Sequence, residues 1–330
     1  MSAAAMVTPS DAGHRPGRLV HLPLALFAAP MGLGGIGLAW REAGRYLGAP
    51  VFIGEALIAL ACLVWGLLVA LHLARALRHP GALAADLGHP VRSAFAGAAS
   101  IGLMIVSGGL TPYAYTAACW IWLVAVVLHV GIGVWMVRGL LTLPRESTAL
   151  SPPLLIPLVG NVLAPAFGVA LGYETLGWVL FGLGALLWVL VQPLILSRII
   201  LGPKMPIRLQ PTLVILLAPP AAGALALARL THGFGPGPLV LLGLGAFFAL
   251  VFATLVPVFA KMPFALSWWA WTFPTAAFAM STLAFANDHP HSAWTLAAWA
   301  LLMASSAIVA LVSGLTLREA WSGRLLQPEP

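Results

Sequence analysis

The chain has 330 residues, of which 61% are hydrophobic and only 8% charged, with a formal net charge of +7. A soluble domain carries about 25% charged residues, so this chain cannot cover a water-facing surface and is expected to sit in a lipid bilayer. Its Lys and Arg lie at segment ends and form no basic stripe, which argues against nucleic acid as a partner.

Residues 1–20, "MSAAAMVTPSDAGHRPGRLV", read as a polar cytoplasmic tail. The "HLPLALFAAP" that follows mimics a signal peptide, but the apolar run continues through "MGLGGIGLAW" to spanning length, so a retained first helix is expected. Ten apolar segments then follow in order: 21–40, 51–74, 93–110, 114–137, 153–172, 175–197, 209–228, 238–260, 263–286 and 292–317. Each approaches the ~20 residues that cross hydrocarbon as a helix. Helix is required because lipid offers no partner to a free backbone group. "TPY" after Leu110 and "YE" after Gly172 leave room only for tight turns. The expected architecture is therefore all-α, with ten transmembrane helices as five hairpins over residues 21–317 and a second cytoplasmic tail over 318–330.

The odd and even segments differ. The first holds Pro30, Gly32, Gly34, Gly35 and Gly37; the third holds Gly97, Gly102, Gly108 and Gly109. The fifth has Pro157, Gly160 and Pro165, the seventh Pro219 and Pro220, and the ninth Pro274. Even segments carry proline only near their cytoplasmic ends, at Pro193 and Pro257. Proline removes a backbone donor, and the freed carbonyl must face protein or a water-lined cavity. Odd helices are thus expected inside, around a central pore, in a quasi-fivefold arrangement. The alternative is that the small residues simply mediate helix packing.

With the N-terminus inside, thirteen Lys and Arg fall on the cytoplasmic side, against Arg41, Arg45 and Arg229 outside. The positive-inside rule then places both termini in the cytoplasm, and the inner (plasma) membrane of a bacterium is the expected location. Of the nine acidic residues only Glu55 lies well within a segment, where interfacial solvation is expected. A proton-coupled carrier is short of intramembrane ionisable groups. No nucleophile–base pair or metal cluster is evident, so no enzyme, catalytic residue, metal or cofactor is expected. Cys62 and Cys119 lie in apolar segments and make a disulfide framework improbable. His72 and His129 do not share a membrane depth, which favours packing over haem ligation. Kinked helices with Ser107, Asn161, Thr212 and Thr272 and exposed N-terminal amides favour small anions over cations.

"WWAWTFPTAAFA" (268–279) sets Phe273 directly before Pro274. The residue before proline leaves regular helical geometry, so the ring is presented at a kink. Spacing alone is equally met by core packing, as for Trp268, Trp269 and Trp271. The stretches "HPVRSAF" (89–95), "IPLVGNVLAPAFG" (156–168), "ILLAPPAAG" (215–223) and "WWAWTFPTAA" (268–277), with ten segments, resemble the tellurite-resistance/dicarboxylate transporter family. That family includes bacterial TehA and the plant slow-type guard-cell anion channels. The resemblance covers about residues 20–322. It implies a homotrimer with one pore per subunit, gated by an aromatic residue of the ninth helix that matches Phe273. Pore-lining candidates are Phe27, Pro30, Gly32, Phe95, Gly102, Asn161, Pro165, Pro219, Pro220 and Thr272. The implied function is an anion channel or channel-like transporter for chloride or nitrate. The alternative is a carrier of C4-dicarboxylates such as malate, or a tellurite-resistance transporter. The long tails that carry phosphorylation control in the plant channels are missing from this sequence, which puts kinase gating in doubt.

Overall fold

The computed structural model describes residues 18–143 and 146–327. Most of the expected N-terminal tail, and the last residues of the C-terminal one, lie outside the described residues. Eight of the described helices are long and apolar enough to cross a membrane. They are α1 (Leu24–Leu47), α2 (Val51–Arg78), α3 (Arg92–Leu110), α4 (Tyr115–Thr142), α6 (Glu174–Leu201), α7 (Gln210–Leu230), α8 (Pro236–Phe259) and α10 (Ser292–Trp321). Between α4 and α6 lies α5 (Pro152–Gly168), shorter and built from alternating 3-10 and α pieces. Before α10 lies α9, a 3-10 turn Leu266–Trp271 running into the α-helix Thr272–Asp288. A short helix, Pro80–Gly88, joins α2 to α3.

Burial separates the helices as the proline and glycine pattern predicts. The apolar windows of α1, α3 and α7 are 94%, 78% and 78% buried, whereas those of α2, α4, α6, α8 and α10 are 17–33% buried. Contacts close a ring in which α1 touches α3, α3 touches α5, α5 touches α7, α7 touches α9 and α9 returns to α1. Each even helix then lies against the two odd helices that flank it, with α2 on α1 and α3, and α10 on α9 and α1.

Every odd helix changes from 3-10 to α winding within its length. The change falls after Phe27, Phe95, Leu163, Leu217 and Trp271. Proline is the third residue of the α part in α1, α7 and α9 (Pro30, Pro220, Pro274) and the second in α5 (Pro165). The reason is visible at Asn161. Pro165 has no amide to give the Asn161 carbonyl four residues earlier. The Ala164 amide supplies it instead, with the tighter 3-10 spacing. The Asn161 carbonyl is therefore not left without a donor where water cannot supply one. Glycine permits the closest approach within the ring at Gly32, where a Cβ would lie 2.1 Å from the Thr272 hydroxyl oxygen.

Two expectations shift. α1 does not end at residue 40 but runs to Leu47, which takes Arg41 and Glu42 into the helix, both buried. α10 runs to Trp321, and beyond it Arg324 folds back onto Glu319 with bonds of 2.8 and 2.9 Å. The first residues of the expected C-terminal tail are thus helical.

Candidate functional site

Two cavities lie within the ring, and α1, α3, α5, α7 and α9 contribute to the wall of both. The smaller has a volume of about 70 Å³ and an almost wholly apolar wall that includes Met31, Phe95, Leu163, Pro219, Trp269 and Phe273. The larger has about 540 Å³ and a mixed wall that includes Arg41, Arg45, Arg229, Phe167, Met280 and Asp288. Met31 to Leu38 on α1, and Ile101 to Gly108 on α3, each pass from one cavity to the other in two helical turns. On α7 the step from Ala222 to Leu225 takes less than one turn. The septum between the cavities is thin and apolar.

Phe273 lines the small cavity beside this septum. It is 7% exposed, and its ring lies so close to α1 that a Cβ on Gly35 would meet its Cδ2 at 3.3 Å. The neighbouring aromatics take other duties. Trp271 packs edge-on against Phe259 at 5.1 Å, away from both cavities. Trp269 lines the small cavity while its indole donates to the Thr316 hydroxyl at 2.9 Å.

Of the candidate lining residues, Phe95 and Pro219 reach the small cavity with Phe273 and Pro274. Others face neighbouring helices. Phe27 stacks on His72 of α2 at 5.1 Å, and Gly102 lies under Trp65 of α2. Pro165 meets Gly177 of α6, and Gly32 meets Thr272 of α9. Pro30, Pro220 and Asn161 are buried outside both walls. The small polar groups are also turned away. Thr272 donates to the Trp269 carbonyl at 2.7 Å, Thr212 to Leu209 at 2.6 Å and Ser107 to Ala118 at 2.8 Å. Hydroxyls in apolar helices satisfy themselves on nearby carbonyls, so a Ser or Thr in an inner helix need not offer its oxygen to a cavity. His129 is fully buried with its Nδ1 2.8 Å from the Ser100 hydroxyl, a local packing pair. Among the described residues no cluster of three metal-ligating side chains occurs.

The residues that sequence reasoning missed are the three arginines on the sparsely basic side. Arg41, Arg45 and Arg229 all reach the large cavity. Arg41 forks onto Glu55 through Nε and Nη2 with two bonds of 2.7 Å, and its Nη1 donates to the Gly108 and Gly109 carbonyls. Glu55 is thus an ion-pair partner rather than a simply solvated acid. Tyr113 lies under the Arg41 guanidinium at 5.7 Å, and its bond to Glu55 holds its phenol above the usual range. Arg45 and Arg229 both approach Glu42, at 2.9 and 3.5 Å. The signal was present in their number, since three arginines stood where the topology rule wanted none.

Long lipid-facing helices around a buried ring with internal cavities define a multi-pass membrane protein. The chain belongs to the SLAC1 family, described as voltage-dependent anion channel, whose pattern matches residues 21–317. It is 22% identical to the S-type anion channel SLAH2 of Arabidopsis thaliana, over 94% of this chain and 61% of that protein. It is 26% identical to the tellurite resistance protein TehA homolog of Haemophilus influenzae, over 80% of this chain and 81% of that protein. A putative malic acid transport protein of Schizosaccharomyces pombe is 25% identical, over 80% of this chain and 71% of that protein. The chain thus spans about three fifths of the length of the plant channel it matches.

Proposed function

We propose that the chain is a channel for small inorganic anions, with α5 and α9 completing ten crossings in five hairpins. The observation that carries this reading is that one ring of five helices walls both cavities, with Phe273 buried on the wall of the apolar one. The ring acts as the gate and Pro274 sets its aim. A plug of this kind closes by volume and by keeping water out. In this reading the resting state is closed, because the small cavity has neither the size nor the polarity to hydrate an ion. The name of the plant relative, an S-type anion channel, supports the same class. Both termini are cytoplasmic, in the inner membrane of a bacterium, and the large cavity then opens outward. The exposed faces of α2, α4, α6, α8 and α10 are free for lipid and for subunit contacts in a homotrimer.

A coupled carrier of C4-dicarboxylates is the second reading, favoured by the name of the yeast relative. Reversal-potential recordings separate the two. Currents that follow the anion gradient and ignore an imposed pH gradient fit the channel. A shift with pH near the Nernst proton slope would reject it in favour of the carrier.

A further inference from the structure

We infer that Arg45 and Arg229 form a binding site for a small inorganic anion in the large cavity, with Glu42 as its tethered competitor. The choice of chloride or nitrate as the ligand class rests on the channel reading above. The groups around the site differ in what they have left to give. Arg41 is fully engaged by Glu55 and two carbonyls. Asp288 accepts the Phe234 amide at 3.0 Å, and His232 leans on Glu174 at 3.7 Å. Arg45 and Arg229 remain, with the Tyr46 hydroxyl beside Glu42 and Arg229. Their side chains are 55% and 39% exposed, whereas that of Glu42 beside them is 12% exposed.

Two guanidiniums carry ten N–H donors between them. One carboxylate takes a single short bond from Arg45, at 2.9 Å. Its other oxygen, Oε2, is buried and has Arg229 only at 3.5 Å, too long for a good charge-assisted bond. Among these three side chains one positive charge and most of the donors are therefore left over, while Asp288 carries a negative charge elsewhere on the same wall. A planar or spherical monovalent anion satisfies them, and the 540 Å³ cavity leaves room for its remaining water. Glu42 occupies the same donors from behind. It holds the pair together when the site is empty and weakens anion binding enough for release.

The signs of three substitutions follow. Glu42→Gln frees both guanidiniums and strengthens anion binding; Arg45→Gln and Arg229→Gln weaken it. One unit charge near 4 Å, screened almost as in water, changes affinity about fivefold.

The test has two arms. First, the wild-type protein and the three variants are melted in detergent while sodium chloride replaces sodium gluconate at constant ionic strength. Chloride is expected to raise the melting temperature. Its half-effect concentration should fall about fivefold in Glu42→Gln and rise about fivefold in Arg45→Gln and Arg229→Gln. A half-effect concentration unchanged within about twofold in Arg229→Gln overturns the site, and that variant decides alone if Glu42→Gln does not fold. Second, Phe273→Ala channels are recorded in planar bilayers with chloride varied on each face in turn. Adding Arg229→Gln should raise half-saturation on the face that bears the large cavity and leave the other face unchanged. Current without that shift removes the site and leaves the channel reading standing. Chloride stabilisation that follows the three signs, with Phe273→Ala carrying no current, removes the channel reading and leaves the site.

Discussion

Replacing Phe273 by alanine deletes a large ring from the wall of the small cavity, beside the septum. The small cavity measures about 70 Å³. Its wall offers water almost no hydrogen-bond partners, so it is expected to be dry, and an ion entering it would lose its shell with nothing in return. Truncation enlarges that space by the ring and joins it to the 540 Å³ cavity, which is lined in part by arginine and carboxylate. Water can then run through from the polar side. Removing even about 1.4 kcal/mol of barrier raises flux tenfold, and loss of a dry constriction should exceed that. Phe273→Leu, which keeps much of the volume, should give a smaller rise. The fold should tolerate the change, because one side of the ring faces a cavity. The cost should fall at or below the ~3 kcal/mol lower end for aromatic truncation in a packed core. Chloride efflux from proteoliposomes, normalised to folded protein, measures the effect. Phe273→Ala protein that elutes and melts normally yet leaks no faster than wild type would refute the gate.

Trp271→Ala should show the reverse profile. It loses the edge contact with Phe259 and about 3 kcal/mol of stability, read as a lower melting temperature, while efflux per folded protein stays at the wild-type level. Gly35→Ala sets a methyl 3.3 Å from the Phe273 ring. Its destabilisation should shrink by about 0.5–3 kcal/mol in a Phe273→Ala background, a coupling that a double-mutant melting cycle reads directly. Glu55→Gln strips the counter-charge from a guanidinium that is 6% exposed. About 3 kcal/mol should be lost, seen as a lower melting temperature or a smaller monodisperse fraction on gel filtration.

The ring was legible because its cause is backbone chemistry. Pro30, Pro165, Pro219, Pro220 and Pro274 mark helices that cannot afford to face lipid, and these are the buried ones. Helix limits were less legible. Arg41 and Glu42 read as a loop by charge, yet α1 carries both inward because Glu55 and the Gly108 and Gly109 carbonyls meet Arg41, and two arginines meet Glu42. Such partners come from other helices and leave no local trace. Which face of an inner helix looks into a cavity was also hidden. Phe27 and Gly102 sit on helices that wall both cavities but face α2 instead. A helix that is apolar all round gives no periodicity from which to choose a face.

The three arginines on the sparsely basic side show how a broken rule points to function. Thirteen of sixteen basic residues obey one topology, so the remaining three cost orientation and must be held there by something else. Arg41 has a structural reason, since its fork ties α1 to α2 and α3 through Glu55 and two carbonyls. Arg45 and Arg229 share a single carboxylate and keep their remaining donors toward the cavity. Packing explains the first and leaves the other two in surplus. Sites that violate a local rule without a structural return are where function is expected. In the proposed reading, free guanidinium donors at the mouth of an apolar path raise the local concentration of anions ahead of the gate. In that reading the basic pair and Phe273 divide the work: the first gathers ions in water, and the second decides whether water continues.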